Sequence, residues 1–410
     1  VKVWNWRDLA TFASERSSFY RELYAGCDLL SCQLSDLPIA EQSIFWEANT
    51  FKNNRVLTAP MEQGTLFKSG GTTGAPKFSI FTKDEWEAFT LIFGRGMASA
   101  GFEKNERVAN LFYAGELYAS FVFIMKSLEK MPVDVLHFPI AGATSPTTVI
   151  KMIEEMGINV LCGVPTSFVS LANELLSKGK TLPVKKIFFG GESLFEDQLP
   201  LLQKAFPGVI VRSIGYASVD GGHLGFIDKN CQSGEHLVFP ESIVEIVDEE
   251  SGELILTPHK AGRLIYTNLA RSLMPIIRYP VGDKAMWTED GRFKLLGRSD
   301  EGARIGPVTV NRDDLIAVLN AEGLLAAVSG FQLIIERVDG RDRLRVKLAA
   351  ANDFKVEALT ASFLKERPMY RECVEKGLVG QVVFETAHLD QLEKNARTGK
   401  LRLVIDRRDF

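Results

Sequence analysis

Apolar positions in the first sixty residues keep no sustained period. Trp4, Trp6, Phe12, Phe19 and Tyr20 open the chain, Leu37-Pro38 follows, and a polar stretch runs from 49 to 55, which predicts short helices joined by loops. Beyond that the pattern becomes regular. Phe78 to Phe81 reads as a strand, and Thr82 followed by Glu85 forms a capping box for a helix bearing Trp86, Phe89 and Ile92. Short apolar runs at 107–112, 133–138, 158–162, 185–189 and 209–214 alternate with helical patterns at 117–128 and 166–176. Ser145 before Pro146 supplies an N-cap and the favoured first-turn proline for a helix with Val149, Ile150, Ile153 and Met156 on one face, and Ser193 with Glu196 is spaced as another capping box. Strands and helices alternating at this interval predict βαβ units and a largely parallel sheet.

After residue 220 the pattern changes. Runs at 236–239, 243–247, 253–256 and 263–268, separated by turn signals such as Ser251-Gly252, predict antiparallel strands or a small barrel. A third pattern begins near Asp300. Asn311 caps a helix bearing Leu315, Ile316 and Leu319, Asp339-Gly340 joins runs at 331–336 and 343–348 as a hairpin, and a helix at 355–365 with a strand at 382–385 completes an α+β unit. The expected fold class is α/β, with a large N-terminal domain of mainly parallel βαβ sheet and a small antiparallel or barrel part, then a small α+β C-terminal domain. A chain of 410 residues exceeds what one core usually supports, so two domains are expected, 1–298 and 299–410.

Composition narrows the partners. Hydrophobic residues at 46%, charged residues at 24% and a net charge of -4 are ordinary for a globular protein and argue against a nucleic-acid or membrane-surface footprint. The five cysteines are odd in number and scattered, which suits a reducing compartment and a cytoplasmic location. Neither an apolar run of about 18 residues nor an N-terminal apolar core of signal-peptide type is present, so membrane spanning and export are not expected.

The chemistry gathers first at Ser69-Gly70-Gly71-Thr72-Thr73-Gly74-Ala75-Pro76-Lys77. Gly70, Gly71 and Gly74 permit backbone conformations in which successive N–H groups converge on an anion, Ser69, Thr72 and Thr73 add hydroxyl donors, and Lys77 adds charge. The Walker loop needs Gly-Lys-Ser/Thr, whereas Lys77 lies between Pro76 and Phe78. Alone, the segment is either an anion cradle or a surface loop.

Residues 66–77 resemble the AMP-binding signature of the adenylate-forming superfamily of acyl-CoA synthetases, peptide-synthetase adenylation domains and luciferases. Further motifs recur in that superfamily's order: Gly190-Gly191-Glu192, Tyr216-Ala217-Ser218-Val219-Asp220, Arg278-Tyr279-Pro280-Val281-Gly282-Asp283, Gly297-Arg298-Ser299-Asp300 and Arg397-Thr398-Gly399-Lys400. Ser18-Phe19-Tyr20-Arg21, the run from Met274 to Tyr279 and the ending from Lys400 to Arg407 are similar to the phenylacetate-CoA ligase group.

The resemblance implies a reaction and a role for each motif. A carboxylic acid, aromatic by this likeness, is joined to the α-phosphorus of ATP with loss of pyrophosphate, and the acyl group then passes to the thiol of coenzyme A. Ser69, Gly70, Gly71, Thr72, Thr73, Gly74 and Lys77 would hold the leaving phosphates. Gly191 and Glu192, with Gly190, would wall the adenine, Tyr216 would stack on it, and Asp283 would accept both ribose hydroxyls, with Arg298 reaching the ribose or a phosphate. Asp220 would bind magnesium. Lys400 would be catalytic, contacting both the substrate carboxylate and the α-phosphate, and Asp300 would be the hinge about which a mobile C-terminal domain turns. Phe112, Tyr113, Ala114 and Gly215, with Gly115, would form the acyl pocket, where Phe112 reads equally as sheet core.

Two departures bear on these roles. Ala217, Val219 and Asp220 stand where the superfamily's third motif has glycine, a hydroxyl residue and glutamate, and 301–307 is compressed. The alternatives are therefore adenylation with hand-off of the acyl group to a carrier protein or a reductase, or, in another class, a nucleotide- or acid-binding protein without catalysis. His223, Cys231 and His236 lack a fourth spaced partner for zinc, so no structural zinc is expected. The oligomeric state is open.

Overall fold

In a computed structural model, the described residues are 2–69, 77–115, 117–192, 194, 198–249, 251–298, 302–350, 356–388, 391–393 and 402–408, excepting the side chains of 69, 298, 326, 329, 350 and 357. The chain divides into two units, a larger one formed almost entirely from residues up to Leu296 and a smaller one chiefly from Gly297 onward.

The larger unit opens with three short helices, α1 (Trp6–Arg16), α2 (Ser18–Leu23) and α3 (Gln42–Ala48). Strands β1 (Thr65–Ser69) and β2 (Lys77–Phe81) pair antiparallel with Ser69 opposite Lys77. Helix α4 (Lys83–Ser99) follows at once. Its capping box forms as expected, the Thr82 amide donating to Glu85 Oε2 at 2.9 Å and the Glu85 amide to Thr82 Oγ1 at 3.1 Å.

Next come β3 (Arg107–Leu111), α5 (Ser120–Lys130), β4 (Leu136–Pro139), α6 (Pro146–Met156), β5 (Val160–Gly163), α7 (Pro165–Ser177), β6 (Lys186–Phe189), α8 (Leu199–Ala205) and β7 (Ile210–Ser213). The strands form one parallel sheet in the order β4-β3-β5-β6-β7. Alternate residues point to opposite faces. Val108, Val160 and Phe188 therefore join α4 and α5 in one core, while Ala109, Leu161 and Ile187 join α6, α7 and α8 in another.

Two expectations shift here, and a third is not tested. Helix α5 starts at Ser120 rather than 117 because Leu117 takes a left-handed φ of 67°, incompatible with a helical first turn, and its carbonyl accepts from the Lys68 amide at 3.0 Å. Met156 is 38% exposed, at the end of a helix stopped by Gly157 in the left-handed region. Ser193 and Glu196 lie outside the described residues.

Strands β8 (Tyr216–Ser218) and β9 (Gly222–Gly225) pair antiparallel, and β10 (Glu235–His236), β11 (Ser242–Val247), β12 (Gly262–Asn268), β13 (Tyr279–Trp287) and β14 (Phe293–Arg298) form a sheet in the order β10-β14-β13-β12-β11. Among the described residues this is an open sheet rather than a closed barrel. The expected strand at 253–256 is only a bridge from Val247 to Leu254, with Leu256 left 79% exposed. The inner face of this sheet shares its core with α1, α2 and α3.

The smaller unit contains β15 (Ala303–Ile305), β16 (Val308–Val310), α9 (Arg312–Ala321), β17 (Val328–Val338), β18 (Arg341–Ala350), α10 (Glu357–Glu366), α11 (Pro368–Glu375), β19 (Val383–Ala387) and β20 (Val404–Asp406), with the sheet order β19-β18-β17-β20. The Asp339-Gly340 hairpin is present. Both residues have positive φ, 50° and 73°, as a two-residue primed turn requires. No helix among the described residues is long and apolar enough to cross a membrane.

Burial also sets a pH dependence. It pushes the imidazoles of His223 and His236 down to about 3 and about 4, whereas in the unfolded chain a histidine titrates near ~6.5. Between those values the unfolded chain binds more protons, so the contribution is full above ~6.5 and is lost as pH falls toward the folded values. Denaturant unfolding of His223→Gln should accordingly show a shallower decline between pH 7 and pH 5 than the parent chain. Equal slopes would show that His223 takes up no extra proton on unfolding.

Candidate active site

The strand order β4-β3-β5-β6-β7 places the point where the chain reverses its direction of winding between β3 and β5. Ligands of open α/β sheets bind outside the carboxyl ends of the strands at such a point. Loops leaving those ends carry much of the expected site. Phe112 and Tyr113 follow β3, Gly190 to Glu192 follow β6, and Gly215 and Tyr216 follow β7.

Each has local partners. The Tyr113 hydroxyl lies 3.3 Å from Ser167 Oγ in the first turn of α7, joining the two sides of the reversal point. Glu192 accepts from the Thr166 amide at 3.2 Å and from the Thr166 hydroxyl at 3.1 Å. Its carboxylate thus meets the exposed N–H groups that begin α7. Gly215 has φ 119°, and a Cβ there would stand 3.1 Å from the Phe93 ring, so only glycine fits. Phe112 is 4% exposed within the core beneath the sheet, the core reading of this residue, while Ala114 lies at the surface.

Across the nucleotide motifs the partners are polar. The Tyr216 hydroxyl donates to Asp283 Oδ2, so the residue expected to stack and the residue expected to bind ribose touch one another. The Tyr216 ring also packs on His236 and Phe293, at centroid distances of 5.6 and 6.2 Å. Lys77 Nζ donates to Gln42 Oε1 at 3.1 Å and lies 5.4 Å from the Trp46 ring centroid. Gly70, Gly71, Thr72, Thr73, Gly74, Asp300 and Lys400 lie outside the described residues, as do the side chains of Ser69 and Arg298.

Asp220 is held from two directions and its neighbour Gly221 from a third. The Tyr279 hydroxyl donates to its Oδ2 at 3.3 Å, and Arg271 Nη1 donates to its backbone carbonyl. Asn268 Nδ2 donates to the next carbonyl, that of Gly221, at 2.7 Å. Arg271 is 1% exposed, also donates to the Ile80 carbonyl of β2 at 3.0 Å, and lies 4.0 Å over the Phe81 ring. Burial pushes its guanidinium down to about 10, with Glu85 and Asp220 opposing. The other carboxylate oxygen, Asp220 Oδ1, is buried and has no hydrogen-bond partner among the described residues. A buried carboxylate oxygen left in this way fits a magnesium ion, a hard cation that takes one or two carboxylates and completes its shell with phosphate oxygens and water. Bound there, magnesium would neutralise phosphate charge.

Neighbouring motif residues are structural. Arg278 takes φ 45° while its guanidinium donates to the carbonyls of Ser35, at 2.7 Å, and Leu37, and to Glu245 Oε2 at 3.1 Å. These bonds offset the backbone cost. Cys231 and His236 face Asp228 and the Gly234 carbonyl, and among the described residues no group of three or more His, Cys, Asp or Glu side chains is arranged to hold a metal.

No protein-family model matches the chain. The phenylacetate-coenzyme A ligase of Thermus thermophilus is 25% identical over 365 residues, 84% of this chain and 80% of that protein. The chain is similar to the phenylacetate-CoA ligases, which form acyl-CoA thioesters by way of an adenylate. The indoleacetate–lysine synthetase of Pseudomonas savastanoi is 26% identical over 278 residues, 63% of each chain. Among solved structures, 2-hydroxyisobutyryl-CoA ligase in complex with 2-HIB-AMP and CoA superposes with a TM-score of 0.74 at 18% identity, covering 98% of this chain and 87% of that one, which shows the same fold.

The pattern along the sequence does not reveal Gln42, Trp46, Asn268 and Arg271. Gln42 and Trp46 are four apart on a short helix, the spacing of one helical face, which was the only available signal. Asn268 and Arg271 sit where a strand ends, and nothing local marks them.

Proposed function

We propose that the chain activates a carboxylic acid with ATP to an acyl-adenylate and then forms a thioester with coenzyme A. The observation that carries the reading is the state of Asp220. One oxygen of its carboxylate is held by a buried tyrosine and the other is buried without a partner among the described residues. That arrangement suits a cation site beside an anion, and it argues against the view that a shorter acid at this position abolishes the function.

In the first half-reaction a carboxylate oxygen attacks the α-phosphorus and pyrophosphate leaves. In the second a thiolate attacks the acyl carbon and AMP leaves. Lys77 and the loop from Ser69 to Gly74 hold the departing phosphates, Asp283 with Tyr216 holds the nucleoside, and Lys400 offsets repulsion between the two reacting anions. The acid is aromatic, and Asp220 would hold a magnesium ion that offsets phosphate charge.

A second reading changes only the acceptor. An indoleacetate–lysine synthetase matches the chain at an identity similar to that of the CoA ligase, so the activated acyl group can also be sent to an acceptor other than CoA, such as an amine, a carrier protein or a reductase. The deciding experiment is a screen of acid-dependent pyrophosphate release across aromatic and aliphatic acids, each with and without CoA. Faster adenylate consumption with CoA supports the ligase, release indifferent to CoA supports another acceptor, and no release with any acid leaves a binding protein.

A further inference from the structure

We propose that α3 is a bracket for the reaction site, in which Gln42 and Trp46 are positioning residues that hold Lys77 and Asp220 in one frame. The proposal rests on the reading of Asp220 given above. It concerns residues of the first fifty positions.

The two side chains leave the same face of the helix and reach the two charged groups by separate routes. Gln42 is 8% exposed. Its amide nitrogen donates to the Pro280 carbonyl at 2.8 Å, which fixes the amide orientation and turns its oxygen to accept from Lys77 Nζ at 3.1 Å. Trp46 Nε1 donates to the Tyr279 hydroxyl oxygen at 3.0 Å, and that hydroxyl donates to Asp220 Oδ2 at 3.3 Å. An indole nitrogen can only donate, so it makes the tyrosine oxygen an acceptor there and directs the single hydroxyl hydrogen to the carboxylate. One Asp220 oxygen is thereby occupied and the other kept for a cation.

The helix is well anchored for this task. Phe45 is fully buried and meets Tyr279 and Phe19 edge-on, at centroid distances of 5.1 and 5.5 Å. Glu41, just before the helix, accepts two bonds from Arg263, at 3.0 and 2.6 Å. A displacement of α3 would therefore move the cation at the end of the glycine-rich segment and the tyrosine that aims Asp220 together.

The test is calorimetric binding of ATP to the full chain, with magnesium and with EDTA, in the parent protein and in Tyr279→Phe, Trp46→Phe, Gln42→Leu and Asp220→Asn. Tyr279→Phe and Trp46→Phe are expected to lose about tenfold of the affinity gained with magnesium while metal-free binding stays within about twofold. Gln42→Leu should weaken both by about threefold, and the KM for the acid should stay put in all three. Magnesium gain retained in Tyr279→Phe and Trp46→Phe but lost in Asp220→Asn would overturn the bracket and leave the reading of Asp220 standing. A gain retained in Asp220→Asn would overturn both. Thermal unfolding screens the variants, and half-buried Trp46 supplies a folded case should the fully buried Tyr279 not tolerate change.

Discussion

Alanine at position 400 is expected to cut acid-dependent pyrophosphate release by about two to three orders of magnitude. Two anions must approach to bonding distance, and at 4 Å like unit charges already repel by about 4 kcal/mol in the effective dielectric of a protein surface. Lys400, in the Arg397-Thr398-Gly399-Lys400 motif, is the cation that the resemblance assigns to both. The loss should be confined to the first half-reaction. Supplied with preformed acyl-adenylate and CoA, Lys400→Ala should form thioester at nearly the parent rate, because the phosphate repulsion has already been overcome. Rapid-quench measurement of each half-reaction separates the two, and undiminished pyrophosphate release would remove Lys400 from the chemistry.

The largest stability loss is expected in the smaller unit, at Arg367→Ala. Arg367 and Asp314 have side chains only 1% and 0% exposed, and Nη1 lies 2.6 Å from Oδ2. Arg367 also donates to the Thr309 carbonyl, and Asp314 completes the capping box of α9 by accepting from the Asn311 amide at 2.8 Å. Burial pushes the Arg367 guanidinium down, and the Asp314 carboxylate opposes that shift. Removing the arginine would strand a buried carboxylate, at a cost of about 3–5 kcal/mol. Replacing both, as Arg367→Met with Asp314→Leu, should cost less than the sum of the single changes, since neither charge is then stranded. Denaturant unfolding of the full chain, followed through the transition of the smaller unit, reads the difference. Additive losses would show that the pair is not coupled.

Local signals in the chain were accurate where the physics is local. The capping box at Thr82, the cap at Asn311, the proline-opened helix after Ser145 and the hairpin at Asp339-Gly340 all form. Each depends on side chains within four residues of one another or on the φ preference of a turn. The misses have nonlocal causes. The apolar pattern at 117–128 could not show that the Leu117 carbonyl is taken by Lys68, nor the run at 253–256 that it would find only a bridge at Val247. Strands β13 and β14 coincide with the motifs that carry Asp283 and Arg298, so along the sequence these stretches stand out for their chemistry and not as sheet.

The candidate site divides in the same way. Residue types and motif order determined which side chains could serve a nucleotide, because an anion cradle, a diol acceptor and a cation ligand each require particular atoms. On that ground the segment at 69–77 reads as an anion cradle or a loop, and the resemblance of the motifs singled out the acids at 220 and 283. Tertiary structure decided what those atoms face. It put the loops after β3, β5, β6 and β7 at one edge through a strand order that no local pattern encodes, and it brought Tyr216 onto Asp283. It also joined Trp46 to a tyrosine 233 positions away, leaving one oxygen of Asp220 held and the other without a partner among the described residues. The physical reason is separation: periodicity and caps are set within a few residues, whereas the burial and orientation of a carboxylate depend on packing between elements that meet only after the chain has folded.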